Sequence, residues 1–268
     1  MLTHKHYFLI CETLLDSLTH LAWHKKPYGS QLVDHSLQFD LVSLFSQTTN
    51  FGRAPLFKKF DCFFFDVDST LIEQETIDEV AKRFDLYQQM HHVTVEAMAG
   101  KIDFARSVAD RVRLLSGIDA TEFEKITERL SLNPYVFELI SFLKQCGTKI
   151  VLISGGFTST VEHFAKLVQA DAFYANELEV KNGKLTGRIL GQILDSERKA
   201  FYIEETCKTF KLDPQKCAFV GDGANDRHAL DYAGWAIGYQ PKPVLYPHLD
   251  LKLGREGYKF LLRYLEAV

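Results

Sequence analysis

The 268-residue sequence has no basic excess: 31 lysines and arginines stand against 35 aspartates and glutamates, a formal net charge of -4. It also has no Lys/Arg-rich run and no RNA-binding signature, so nucleic acid is not an expected partner. Cysteine is sparse and unpatterned. Cys11, Cys62, Cys146, Cys207 and Cys217 are odd in number, scattered and without a CxxC, which argues against a disulfide framework or a zinc ribbon and fits a reducing cytosol. Long hydrophobic runs are missing too. The most apolar early stretch, "YFLICETLLDSL", meets Glu12 and Asp16 well before the roughly 20 apolar residues of a membrane span. It has no clear cleavage site, so neither a span nor a signal peptide is expected. No internal repeat or low-complexity tract appears. His20 and His24, four apart, lack a third ligand and read as a solvated helix face rather than a metal pair.

What is present is a globular composition, 46% hydrophobic and 25% charged, enough for one large domain with a smaller insertion or appendage. The first 57 residues predict an amphipathic helix from about Tyr7 to Trp23, a turn at "KKPYGS" and an ambiguous stretch around "LQFDLVSLF". They carry no chemical motif. Beyond them come short, continuous apolar runs at 61–67, 148–154, 216–222 and 235–238, the form taken by strands buried on both faces of a parallel sheet. Helical patterns alternate with them, including "GFTSTVEHFAKLV" and "SERKAFYIEETCKTF", and "LEVKNGKLTG" predicts a hairpin turned at Asn182 and Gly183. The expected fold is therefore α/β, a doubly wound and mostly parallel sheet. Residues 73–132 break the rhythm with helical patterns and no strand, which predicts a helical insertion after the first core strand. Asn133 and Pro134 read as the helix cap and first helical position that return the chain to a core made of 58–72 and 133–268.

The stretch "FFFDVDSTLIEQETIDEV" runs from three buried phenylalanines straight into Asp66 and Asp68. A bare DxD fits an ordinary surface turn with an aspartate cap. Other strand ends favour a site. In open α/β sheets ligands bind at the carboxyl ends of strands. "LISGGFTST" ends a strand at Ser154 before Gly155 and Gly156, whose missing side chains let backbone N–H groups approach an anion. "FVGDGAND" ends another at Asp222, with Asn225 and Asp226 following. Lys199, by itself a solvated helix lysine, lies between them. Gathering Asp66, Asp68 and Asp222 beside a phosphate requires a hard divalent cation held by oxygen, best matched by Mg²⁺.

On these motifs the chain resembles the haloacid dehalogenase superfamily of phosphotransferases, and within it the phosphoserine phosphatase subfamily. The likeness runs from about residue 58 onward through "FDVDSTLIEQETIDEVA", "AMAGKIDF", "LISGGFT", "ANELEVKNGKLTG" and "VGDGAND". It implies a Rossmann-like core carrying a mobile helical cap over 73–132, and Mg²⁺-dependent hydrolysis of O-phospho-L-serine, the last step of serine biosynthesis. By the same resemblance, Asp66 is the nucleophile that becomes an aspartyl phosphate, and Asp68 the acid and base. Protonating an alkoxide at neutral pH demands a carboxyl tuned by a neighbouring carboxylate, the phosphate or burial. Metal ligands are the Asp66 and Asp222 carboxylates and the Asp68 carbonyl, supported by Asp226. Ser154, Gly155, Lys199 and Asn225 hold phosphate. Glu75 receives the substrate ammonium and Arg111 its carboxylate, with Gly156, Met98 and Phe104 lining the site.

Periodicity alone does not choose Arg111 over Arg106 or Arg113, and Met98 and Phe104 fit plain cap core equally well. Phosphohomoserine is an alternative substrate, and a phosphoserine sensor without turnover an alternative function, although a pure binder has no need of an acid at Asp68. Arg227 and His228 depart from the apolar residues usual after "GDGAND", and "YQPKPVL" keeps Lys242 and Pro243 while losing the usual alanine. Monomer and homodimer are both open.

Overall fold

A computed structural model of the chain describes residues 59–98 and 100–267, and before them four short strand segments at 7–8, 24–26, 29–31 and 52–53. Tyr7–Phe8 pairs antiparallel with Gly52–Arg53. That corrects the start of the expected helix, because two strand-favouring aromatics here form a ladder. The remainder of that helix, with His20, and the "LQFDLVSLF" stretch lie outside the described residues. His24–Lys26 pairs antiparallel with Gly29–Gln31, which puts His24 on a strand rather than on the expected helix face.

Seven strands build the main sheet: β1 (Cys62–Phe65), β2 (Lys149–Phe157), β3 (Ala172–Lys181), β4 (Lys184–Leu190), β5 (Cys217–Gly221), β6 (Trp235–Tyr239) and β7 (Leu251–Leu253). Their order is β7-β6-β5-β1-β2-β3-β4, parallel throughout except for the antiparallel pair β3 and β4. The alternation of side chains along a strand explains the triple phenylalanine. Phe63 and Phe65 enter one core with Leu152 and Val220, while Phe64 enters the opposite one with Val151 and Phe219. Helices α5 (Val136–Gln145), α6 (Thr158–Leu167) and α9 (Gly257–Ala267) cover the first face; α7 (Ser196–Phe210) and α8 (Arg227–Tyr232) cover the second. Burying each phenylalanine contributes roughly 1.5–3 kcal/mol, so both faces of β1 are anchored where the acidic motif leaves it.

The turn between β3 and β4 is made by Asn182 at φ 52° and Gly183 at φ 75°, left-handed values that suit asparagine and glycine. Strand β7, short and without its own turn signal, was not foreseen.

Four helices separate β1 from β2: α1 (Thr76–Arg83), α2 (Tyr87–Met98), α3 (Phe104–Arg113) and α4 (Ala120–Thr127). They share their own apolar cluster of Ile77, Val80, Met90, Val108, Val112 and Phe123, closed by Phe157 and Leu185 from the sheet. The two chain crossings pair at Ile72 and Leu132. Asn133 is not the helix cap that the sequence predicts. Its side-chain amide donates to the carbonyls of Thr70 (2.8 Å) and Ile72 (2.9 Å), and its oxygen accepts from Tyr239 Oη at 3.1 Å. Helix α5 starts only at Val136, after Tyr135 in a left-handed conformation at φ 64°. A buried amide with partners on the segment leaving β1 and on β6 outcompetes a cap that would use only one local bond.

Candidate active site

The ends of β1, β2 and β5 meet a cavity of about 500 Å³ that α1, α2 and α3 close from the other side. After Phe65 the chain turns tightly: Ser69 takes φ 57°, and the Ile72 amide donates to the Val67 carbonyl at 3.0 Å. This turn places Asp66 and Asp68 in the same cavity.

Asp66 is 3% exposed, and Lys199 Nζ reaches its Oδ1 at 2.6 Å and Asp226 Oδ1 at 2.6 Å. Lys199 comes from the first turn of α7, whose N-cap Asp195 accepts from the Arg198 amide. Completely buried, it is no solvated helix lysine. Burial by itself would lower its pKa, but Asp226 and Asp66 outweigh that and hold it above the ordinary lysine range. Burial pushes Asp66 well above the usual carboxylate range, reinforced by Asp226 and opposed by Lys199. Asp222 is raised to about 6 by burial and by Asp226. One carboxylate oxygen from each of Asp66, Asp222 and Asp226 lies within 4.8 Å of the others. Three buried carboxylates at that spacing form an all-oxygen donor set suited to a hard divalent cation. Asp226 also accepts from the Asp222 and Gly223 amides, each at 3.0 Å, so it shapes the loop as well as the charge.

Asp68 turns its carboxylate toward α1 and β2. Its Oδ1 accepts from the Thr76 amide at 2.7 Å and from the Thr76 hydroxyl, and its Oδ2 faces the Ser154 hydroxyl at 3.3 Å. Ser154 Oγ in turn accepts from the Gly156 amide at 2.8 Å. A Cβ on Gly156 would lie 2.3 Å from Asp68 Oδ2, so glycine here is a matter of space. Asn176 shapes the same loop, donating to the Gly155 carbonyl at 2.7 Å. Asn225 lines the cavity beside Gly155.

The helical side brings Glu75, Arg111 and Phe104 to the same cavity. Glu75 accepts from Ser69 Oγ at 2.8 Å and is raised to about 7 by burial and by the charges of Asp68 and Asp222. Of the three arginines on α3, Arg106 and Arg113 both pair with Asp110 at 2.7 Å on the outer face. Arg111 lines the cavity, its Nε donating to the Ser107 carbonyl at 3.3 Å, and burial holds it below the ordinary arginine range. Phe104 lines the cavity over Gly155. Met98 ends α2, and its side chain lies outside the described residues.

Several groups in the site were not assigned from sequence. Thr76 holds Asp68, Asp78 lines the cavity near Arg111, and Lys242 Nζ stands 3.2 Å from Asp222 Oδ2. Thr76 and Asp78 belong to the quoted "ETIDE" segment, but only the helical spacing from Glu75 turns them inward. Arg227 lies on the outside of α8, 4.0 Å from Asp231, while Ala229 and Leu230 supply its buried face. No helix among the described residues is long and apolar enough to cross a membrane.

The family model of haloacid dehalogenase-like hydrolases matches residues 63–231. The chain is 39% identical over 193 residues to a phosphoserine phosphatase of Archaeoglobus fulgidus, covering 72% of this chain and 56% of that protein's length. It is 34% identical over 209 residues to a phosphoserine phosphatase of Methanocaldococcus jannaschii, covering 78% of this chain and 99% of that one. A solved structure described as a phospho-aspartyl intermediate analogue of phosphoserine phosphatase superposes with a TM-score of 0.72 at 34% identity, over 77% of this chain and 99% of the other.

Proposed function

The chain belongs to the haloacid dehalogenase-like hydrolases, and from that premise we propose that it hydrolyses O-phospho-L-serine to L-serine and phosphate. One observation carries the reading. The cavity that holds Asp66, Asp68, Ser154 and Gly155 also holds Glu75 and Arg111, a carboxylate and a guanidinium suited to the two ends of an amino acid.

In this reading Asp66 attacks phosphorus, and the bond from phosphorus to the serine oxygen breaks as the aspartyl phosphate forms. Asp68 gives its proton to the leaving alkoxide, then takes one from the water that hydrolyses the intermediate. Thr76 keeps that carboxylate aimed across the cavity rather than free to rotate. The Ser154 hydroxyl, the Gly155 amide and the Lys199 ammonium receive phosphoryl oxygens, with Asn225 alongside. Asp66, the Asp68 carbonyl and Asp222 would hold Mg²⁺, with Asp226 supporting. Bound there, the ion screens the nucleophile from an anionic substrate and neutralises charge in transfer. Glu75 takes the substrate ammonium and Arg111 its carboxylate.

Residues 73–132 act as a cap, with Phe104, Met98 and Gly156 shaping the space under it. The free thiols of Cys62, Cys146, Cys207 and Cys217 support a reducing, cytoplasmic setting, and the reaction would serve serine biosynthesis.

The test is phosphate release from L-phosphoserine, phosphohomoserine and p-nitrophenyl phosphate, with Mg²⁺ or chelator, against Asp66→Asn. Metal-dependent preference for phosphoserine, with turnover reduced at least about 10⁴-fold in Asp66→Asn, is the expected result. Metal-dependent activity without that preference would move the substrate assignment away from phosphoserine. Binding of phosphoserine without turnover would make the protein a sensor.

A further inference from the structure

Lys242 is the cationic group in the cavity to which the catalytic scheme gives no task. Its place is well defined by its surroundings. The Lys242 amide donates to the Asp222 carbonyl at 2.8 Å, and Pro243 follows as the first residue of a short helical turn, so the backbone is pinned at the rim. From there Nζ reaches Asp222 Oδ2 at 3.2 Å, and the side chain shares the cavity with Glu75.

Lys199 serves two of the clustered carboxylates, Asp66 and Asp226, at 2.6 Å each. Asp222 is the third, and its cation is Lys242. The two lysines differ in one respect. Lys199 bridges two carboxylates with no exposed side-chain area, whereas Lys242 keeps 62% of its side chain in solvent. A buried ammonium cannot leave without stranding two carboxylates, but a solvated one on a flexible stem can.

We propose that Lys242 is a tethered counter-ion that occupies Asp222 until a divalent cation replaces it, and so sets the metal affinity of the site. The inference rests on the metal-binding role given above to Asp222. The lysine keeps the carboxylate cluster compensated while no ion is bound, and it competes with the ion for the same side chain. Affinity is thereby weakened, and the cluster stays folded without metal.

Calorimetric titration of Mg²⁺ into substrate-free protein tests this with Lys242→Met and Lys242→Arg. The Met variant is expected to bind Mg²⁺ about tenfold more tightly and the Arg variant close to wild type, because the competing charge is removed in one and kept in the other. In parallel, the melting temperature of the Met variant should fall in chelator and gain more from Mg²⁺ than the wild type gains. Unchanged or weaker Mg²⁺ binding by the Met variant would overturn the proposal. If that result came with a raised KM for phosphoserine at saturating Mg²⁺, Lys242 would instead be a substrate contact. Absence of Mg²⁺ binding by the wild type itself would overturn the metal-binding reading, and this inference with it.

Discussion

The two walls of the cavity are built on different physical terms. The sheet side is a set of buried charges held by strand ends: Asp66, Lys199 and Asp226 have almost no exposed side-chain area and bind one another from β1, α7 and the loop after β5. The helical side has a separate apolar cluster and mostly surface ion pairs, such as Glu79 with Lys82 and Arg106 with Asp110, both solvent-exposed. Solvent screening leaves exposed pairs of this kind contributing little, whereas breaking a buried one costs about 3–5 kcal/mol. The sheet side therefore has one arrangement available to it. The helical side joins the rest at the Ile72–Leu132 crossing and at the hairpin, where Asp119 pairs with Lys184.

Lys199→Met should separate the two walls most strongly. It leaves Asp66 and Asp226 buried without their cation, and unfolding by denaturant in chelator should show a loss of about 3–5 kcal/mol. A loss under 1 kcal/mol would mean that the cluster relaxes, and the contrast between rigid and adaptable walls would fall.

Glu75 sharpens the contrast through pH. Its folded-state pKa near 7 stands above an ordinary 4.5, so the folded protein holds this proton more tightly than the unfolded chain. The resulting stabilisation is full below about pH 4.5 and is lost as pH rises through about 7, an amount of about 3 kcal/mol. Denaturation in chelator from about pH 4 to about pH 8 should show wild type losing that much relative to Glu75→Gln. Parallel pH curves for the two proteins would show that Glu75 is already ionised in the empty cavity.

Arg111→Ala should lower kcat/KM for phosphoserine by about 100-fold while changing aryl phosphate hydrolysis less than about threefold. Equal losses on both substrates would assign Arg111 to the chemistry and erase the division between walls. Arg106→Ala gives the smallest effect: its outward, solvent-screened pair with Asp110 predicts a melting temperature close to wild type and unaltered selectivity, read by thermal melting and the same substrate pair.

The parts of the site legible in the sequence are those where a local pattern has one physical meaning. Continuous apolar runs ending at Asp66 and Asp222 marked strand ends, and Asn182–Gly183 marked a left-handed turn, whereas β2 runs on past the expected end at Ser154 through both glycines to Phe157. The parts that were not legible depend on direction. Arg106, Arg111 and Arg113 share one helix and one residue type, and only the packing of Val108 and Val112 into the helical core decides which of the three points inward.

The alternation of core strands and helices from β1 to β6 and the identity of the acidic groups after β1 and β5 follow from the sequence, because burial and backbone preference act within a few residues. Tertiary structure decided the rest. Asn133 looks like a helix cap from its neighbours, yet it ties Thr70 and Ile72 to Tyr239, residues 61 to 106 positions away. Lys242 and Asp222 are separated by 20 positions and meet only because β5 and β6 lie side by side. Hydrogen bonds and ion pairs are set by distance in space, and a chain's local pattern carries no record of which distant group will arrive within reach.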